Sequence, residues 1–322
     1  MKSRQPETPV VSNPAKSAMP FHLPPISRRQ FLAGSIATGL AALHGPHRLS
    51  ADESVNPDHW ALISDTHIAQ DPAAVNRGVN MTNNLRRVIG EMLDLPERPA
   101  GVILSGDCAL REGNLGDYAR LAELLAPISQ ADWPVHMMMG NHDDRAHFRE
   151  GFAQQIPKQP LVEDRLVSIV ETRHANWFLL DSLDRVNKSP GLLGAAQRQW
   201  LADALDARPD KPAMIVGHHN PRFGNPPSNN EGLLDTDELF AVLTPRRQVK
   251  AYFFGHTHFW GLAKHEGIHL VNLPPTAYLF IPGWPNGWVD IRLNDRGAKL
   301  ELHALDPKNK ANGQRAELEW RA

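Results

Sequence analysis

The sequence predicts an α/β layered protein with helices outside a largely parallel core, and three observations carry that expectation. Short apolar runs suited to buried strands alternate with amphipathic helical stretches over most of the chain. Five of those runs end at a side chain able to bind a metal ion. Toward the C-terminus the helical pattern gives way to further strand-like runs, so antiparallel strands are expected to finish the sheet system.

The first fifty-one residues stand apart from this pattern. They are rich in Pro and Ser and contain SRRQFLAGSIATGLAAL, residues 27 to 43. Arg28 and Arg29 directly precede an apolar run of about a dozen residues, too short for a bilayer and the right size for a signal-peptide core. The S-R-R-x-F-L order resembles a twin-arginine export signal, an address read by the export machinery and no stable membrane anchor. An amphipathic or buried N-terminal helix is the alternative. Cleavage is expected after Leu49-Ser50-Ala51, and Met19 is a second candidate start. The expected organisation is a leader over 1–51 and one domain over 52–322, exported to the periplasm or the exterior.

Past the leader the elements follow in order. WALIS (60–64) leads to Asp65 and His67, and a helical pattern over 79–95 follows. GVILSG (101–106) leads to Asp107, then a helix over about 116–126. VHMMMG (135–140) leads to Asn141 and His142. Strand-like VSIVE (167–171) and WFLLD (177–181) precede a helix over 195–207. AMIVG (213–217) leads to His218 and His219, with a weaker helix near 236–247. AYFFG (251–255) leads to His256 and His258, and IHLVN (268–272) and GWVDIRL (287–293) close the pattern. In open α/β sheets the loops beyond the carboxyl ends of the strands gather on one edge. All five motifs occupy that position, so the fold would bring these distant residues together.

Composition narrows the function. Of the chain's net charge of −2, residues 1–51 hold six Lys/Arg against one acid, or +5, which leaves about −7 for the remainder. A body that acidic is expected not to bind nucleic acid generally. The single cysteine, Cys108, excludes an intramolecular disulfide and reads as a small buried residue. Imidazole, carboxylate and amide ligands without thiolate suit Mn, Fe, Zn or Co, and seven of them exceed the needs of one four-coordinate ion. Two cations side by side can neutralise a phosphate ester and lower the pKa of a bound water, so that hydroxide is available near neutral pH.

The ordered set D-x-H, GD, GNHD, GHH and GHTH resembles the calcineurin-like metallophosphoesterase superfamily, over about residues 61 to 273. The run GNHDDRAHFRE (140–150), with FLLDS (178–182), is similar to the bacterial class III cyclic nucleotide phosphodiesterase and glycerophosphodiesterase branch. The resemblance implies a four-layer α/β/β/α sandwich and two divalent or trivalent transition-metal ions. It implies that Asp65, His67 and His258 bind the first ion, Asn141, His218 and His256 the second, and that Asp107 bridges them. His142 matches a catalytic position that faces the substrate phosphate, its tautomer set by a carboxylate, either Asp143 or Asp65. Asn141 and His219 are further candidates for substrate contact, a structural hydrogen bond being the equal alternative for His219.

The activity implied is hydrolysis of a small phosphate ester, with a diester favoured. The alternatives are a phosphomonoesterase on the same scaffold and a non-catalytic binding protein. Two departures from the branch stand out. His218-His219-Asn220-Pro221 replaces the usual HHPP, and REGNLG (111–116) occupies a region that differs among branches. Leu110 stands where purple acid phosphatases carry a metal-binding tyrosine, which disfavours that group. The loop RFGNPPSNNEGLLD (222–235) is the expected rim of the site, with Arg222 and Asn229 read as solvated. Gln197 and Trp200 are read as packing residues. Trp284 and Trp288, in PGWPNGW (282–288), belong to a turn expected to pack on the sheet, an aromatic lip over the site being the alternative.

Overall fold

The computed structural model describes residues 55–156, 159–224 and 231–322. The proposed leader over 1–51 and Asn229 lie outside the described residues.

Alternation along the strands sorts side chains into three apolar clusters. Ala61 and Ile63 face one cluster, Trp60 and Leu62 another. Val102 and Leu104 point opposite to Ile103 in the same way. In the second half of the chain Ala213 and Ile215 separate from Met214 and Val216, and Tyr252 and Phe254 from Ala251 and Phe253. A strand that is apolar on both faces must be covered on both. The solution is four layers: helices, sheet, sheet, helices.

The first sheet has six strands in the order Arg315–Glu319, Gly297–Ala304, Gly287–Leu293, Asn56–Ile63, Pro99–Leu104, Val135–Met137. The last three run parallel and the others antiparallel. The second sheet has the order Gly261–His265, Ile268–Asn272, Val249–Phe254, Ala213–Val216, Asn176–Leu179, Ser168–Glu171, parallel in its centre with an antiparallel strand at each edge. Helices Met81–Leu93 and Leu115–Gln130 send buried side chains into the cluster over the first sheet. Ala195–Asp206 and Thr236–Leu243 do so over the second. The layered α/β/β/α expectation holds.

The differences from the sequence reading have local causes. Val79 and Asn80 belong to a small hairpin, and the Asn80 side chain accepts from Asn83 N–H to start the helix at Met81. The second helix continues through Pro127 to Gln130. The fourth stops at Leu243, just before Thr244-Pro245. A short helix, Arg145–Gly151, was not expected; Asp144 caps it by accepting from His147 N–H at 2.9 Å. Among the described residues no helix is long and apolar enough to cross a membrane.

One buried carboxylate ties the two halves of the sandwich together. Asp181, fully buried beyond strand Asn176–Leu179, accepts two bonds from the Arg145 guanidinium at 2.7 and 2.8 Å and one from Leu166 N–H at 2.9 Å. Gln197 brackets the Asp181 backbone, accepting from its N–H and donating to its carbonyl, both at 2.8 Å. Gln197 is thus a packing residue, as expected, and Trp200 packs against the outer cluster of the second sheet. Removing one partner of such a pair strands the other. Asp181→Ala should therefore lower unfolding free energy by about 3 kcal/mol or more in urea titrations, and an unchanged midpoint would refute the tie.

Candidate metal centre

Each of the five motifs follows a strand that runs parallel to the other motif strands of its own sheet, so the loops of each sheet open on one edge. Asp65, His67, Asp107 and Asn141 come from the first sheet, His218, His256 and His258 from the second. Three overlapping groups result. Donor atoms of Asp65, His67 and His258 lie within 4.8 Å of one another, as do those of His67, Asp107 and His142 and those of Asp107, His218 and His256.

The contacts within these groups are short. His67 Nε2 and His258 Nε2 are 3.0 Å apart, with Asp65 Oδ1 at 4.0 and 3.4 Å from them. One oxygen of Asp107, Oδ2, is 3.7 Å from His67 Nε2 and 3.3 Å from His218 Nε2. Its other oxygen accepts from His142 N–H at 2.9 Å. Asp107 is thereby shared between the two sides of the cluster.

The surrounding backbone aims the ring nitrogens. His258 Nδ1 donates to the Tyr278 carbonyl at 2.6 Å and His218 Nδ1 to the Ser105 carbonyl at 2.7 Å. With Nδ1 held by a carbonyl, each ring turns its Nε2 toward the cluster. Asp65 accepts from the Ser64 hydroxyl at 2.5 Å and from His256 N–H at 3.1 Å. Asp143 is fully buried and accepts from Cys108, Ala109 and Gly140 N–H, clamping the Asp107 and Asn141 loops together.

Strain concentrates at this edge. Asp65, His67, Asp107, His256 and His258 all have φ between +45° and +67°, a region costly for residues with a Cβ. Close approach explains two motif glycines. A Cβ on Gly140 would stand 2.1 Å from Asp107 Oδ1, and one on Gly255 would stand 1.9 Å from Ser64 Oγ.

Charge balance follows from burial and proximity. Burial opposes ionisation of Asp65, but His258 beside it holds the carboxyl down to about 2. Burial opposes it at Asp107 too, where His218 and His67 hold the group well below the usual carboxylate range. Burial drives His67 down to about 3 and His256 to about 4. At His218, Asp107 outweighs burial and raises the imidazole to about 9. Burial, reinforced by the charge on Asp107, lifts Asp143 to about 7.

The donor set fits metal ions. His218 Nε2, His67 Nδ1 and Asn141 Oδ1 are buried without a hydrogen-bond partner among the described residues. Facing lone pairs and ionised carboxylates at these distances repel unless positive charge lies between them. Oxygen and imidazole donors of this kind suit first-row transition metals.

A cavity of about 470 Å³ opens over the cluster, walled by His67, Asp107, Asn141, His142, His256 and His258 on its floor. Three expectations differ from the structure. The His142 ring is oriented by no carboxylate: its Nδ1 donates to the Arg111 backbone carbonyl at 3.0 Å, while Asp143 and Asp65 are occupied by backbone and hydroxyl donors. Arg222 lines the cavity rather than projecting into solvent, together with Ser189, Asn220 and Glu231. His219 does not line it; the residue is fully buried, with Nδ1 2.7 Å from the Ser182 hydroxyl and its ring 4.7 Å from that of His256. Trp288 is buried within strand Gly287–Leu293, whereas Trp284 packs on the exposed loop residue Phe259 and not on the sheet. Cys108 is buried, and burial pushes its thiol well up.

The hairpin tip Arg77-Gly78 and the segment Tyr278 to Phe280 border the cluster without belonging to any of the five motifs. The Tyr278 ring stacks on His67 at 4.9 Å and Phe280 on His258 at 4.1 Å. Arg-Gly between two short alternating pairs was the available signal for the hairpin, since a two-residue turn of this kind takes positive φ at both positions.

Comparison with known proteins agrees with this geometry. A calcineurin-like phosphoesterase family model matches residues 60–259. The 3′,5′-cyclic adenosine monophosphate phosphodiesterase CpdA of Pseudomonas aeruginosa is 28% identical, over 75% of this chain and 84% of its own length. The glycerophosphodiester phosphodiesterase GpdQ of Enterobacter lignolyticus is 24% identical, over 68% of this chain and 77% of its own. Among solved structures, a dimetal phosphatase from Danio rerio superposes with a TM-score of 0.61 at 14% identity, covering 82% of this chain and 99% of that one, which shows a shared fold. The family match spans all five motifs that build the metal centre, and the chain belongs to the calcineurin-like phosphoesterase family.

Proposed function

We propose that the protein is a dinuclear metal-dependent phosphodiesterase acting on small phosphate diesters. The observation that carries this reading is Asp107, whose single oxygen Oδ2 lies between His67 and His218 at the meeting point of the two ligand groups. In this reading Asp65, His67 and His258 hold one ion, Asn141, His218 and His256 the other, and Asp107 both. The ions are two of Mn, Fe, Zn or Co. Bound there, they would supply positive charge against the ester and make water acidic enough to ionise near neutral pH.

The chain's own residues do the rest. Asn141 and His142 lie on the cavity floor, within reach of a phosphoryl group seated there. The Arg111 carbonyl accepts from His142 Nδ1 whether or not the other nitrogen is protonated, so the ring keeps its orientation while Nε2 gains or loses a proton. His142 is then placed to donate a proton to the departing alkoxide oxygen. Buried His219, packed on His256, holds that ligand in place instead of touching substrate. The diester preference is supported by the relatives named above, both of which are phosphodiesterases.

Metal-loaded protein should hydrolyse bis(p-nitrophenyl) phosphate faster than p-nitrophenyl phosphate. Asp107→Ala should reduce that rate by at least about 100-fold, given that even ligand-supporting residues are worth 10- to 100-fold. Undiminished activity in the variant would refute the mechanism, and the reverse order of substrates would assign a monoesterase.

We further propose export through the twin-arginine machinery to the periplasm or exterior, a route suited to a protein that folds and loads metal before crossing the membrane. The support is the Arg28-Arg29 pair and the apolar run that follows. A reporter joined to residues 1–51 should be exported, and Arg28→Lys with Arg29→Lys should retain it in the cytoplasm. Equal export of both forms would exclude the route.

A further inference from the structure

Two aromatic rings cover the imidazoles on one side of the cluster, and they differ in exposure. Tyr278, over His67, is 6% exposed, whereas Phe280, over His258, is 45% exposed and forms part of the cavity wall. The Phe280 and His258 rings are nearly parallel, 14° apart, so one face of the phenyl ring is covered. Arg77 projects from the tip of the hairpin Val75–Asn76 and Val79–Asn80, where its φ is +47°. Its guanidinium carbon stands 5.0 Å from the Phe280 centroid and 5.9 Å from that of Tyr278. No ion pair among the described residues engages this guanidinium.

The cavity lining therefore mixes two unlike kinds of surface. Ser189, Asn220, Arg222 and Glu231 give the lining a polar stretch, while Phe280, stacked on His258 and overlaid by Arg77, offers a phenyl edge beside a guanidinium plane. A hydroxyl-rich substituent lying on the Phe280 side would lose water and find no acceptor on the ring. A planar aromatic group suits it, because a phenyl edge and a guanidinium plane both favour contact with a π face. The hairpin fixes Arg77 against Phe280 and the His258 imidazole fixes Phe280 in turn, so the surface is formed before a ligand arrives.

Resting on the phosphoester reading above, we infer that Phe280 and Arg77 form a seat for a flat aromatic substituent of the ester, and so determine which esters the cavity prefers. The seat discriminates by shape and π character rather than by bulk.

Phenylphosphonate and cyclohexylphosphonate, equal in charge and similar in size, test this by calorimetric titration of metal-loaded protein, with methylphosphonate as the reference. The phenyl compound should bind ~10-fold more tightly than the cyclohexyl compound, the size expected of one favourable aromatic contact. Phe280→Leu, which keeps an apolar cover over His258 but no π system, should reduce the ratio to about twofold, and Phe280→Tyr should preserve it. Arg77→Ala, at an exposed hairpin tip, should reduce the ratio independently and guards against misfolding of the Phe280 variant. Equal affinity for the two ring compounds, or an unchanged ratio in both Phe280→Leu and Arg77→Ala, overturns the seat. If that happens while bis(p-nitrophenyl) phosphate is still hydrolysed, only the seat fails. If neither hydrolysis nor binding of methylphosphonate is seen, the phosphoester reading fails and the seat with it.

Discussion

Asp107 is 2% exposed, with a charged carboxylate facing two imidazoles on one oxygen and a backbone N–H on the other. A buried anion of this kind is stable only where the surrounding structure supplies compensating charge from fixed directions. Much of the molecule is arranged around that need. Asp143 holds the loops on either side of Asp107, and Gly140 has no side chain because the carboxylate fills the space a Cβ would occupy. The positive φ values at Asp65, His67, Asp107, His256 and His258 are strain accepted at the same point, offset by packing in the three clusters behind it.

The four-layer architecture explains why the site forms at a seam. Neither sheet carries a full donor set, and each contributes through loops at its own strand ends. The seam is narrow because His218 Nδ1 reaches across to the Ser105 carbonyl and Gly255 lies directly against Ser64. Sheet packing and donor geometry are thus one problem: a shift between the layers would separate His218 from Asp107.

Most of the fold and the floor of the site could be read from sequence because both depend on short-range patterns. Apolar runs of five or six residues ending in Asp, Asn or His mark strand ends, and the order of the five motifs carries the family. The partners of those residues were less legible. A carboxylate was expected beside His142, but the ring meets a backbone carbonyl, and every residue offers one, so no residue type signals it. For His219 the motif left substrate contact and a structural hydrogen bond equally open, and only the turn, which points it inward to Ser182, decides between them. The cover of Tyr278, Phe280 and Arg77 joins segments about two hundred residues apart, and stacking leaves no periodicity in either segment. Helix Arg145–Gly151 is too short for a 3.6-residue pattern to stand out.

The donors also differ in when they come into existence. Asp65, His67, Asp107 and Asn141 belong to the first sheet, whereas His258 meets His67 across 191 positions of sequence. A growing polypeptide would display the earlier donors on the ribosome long before the later imidazoles were synthesised. Ions met at that stage would encounter a half-built set with weak grip and loose geometry. The choice among competing cations would thus fall to the finished pocket rather than to whichever donors emerged first.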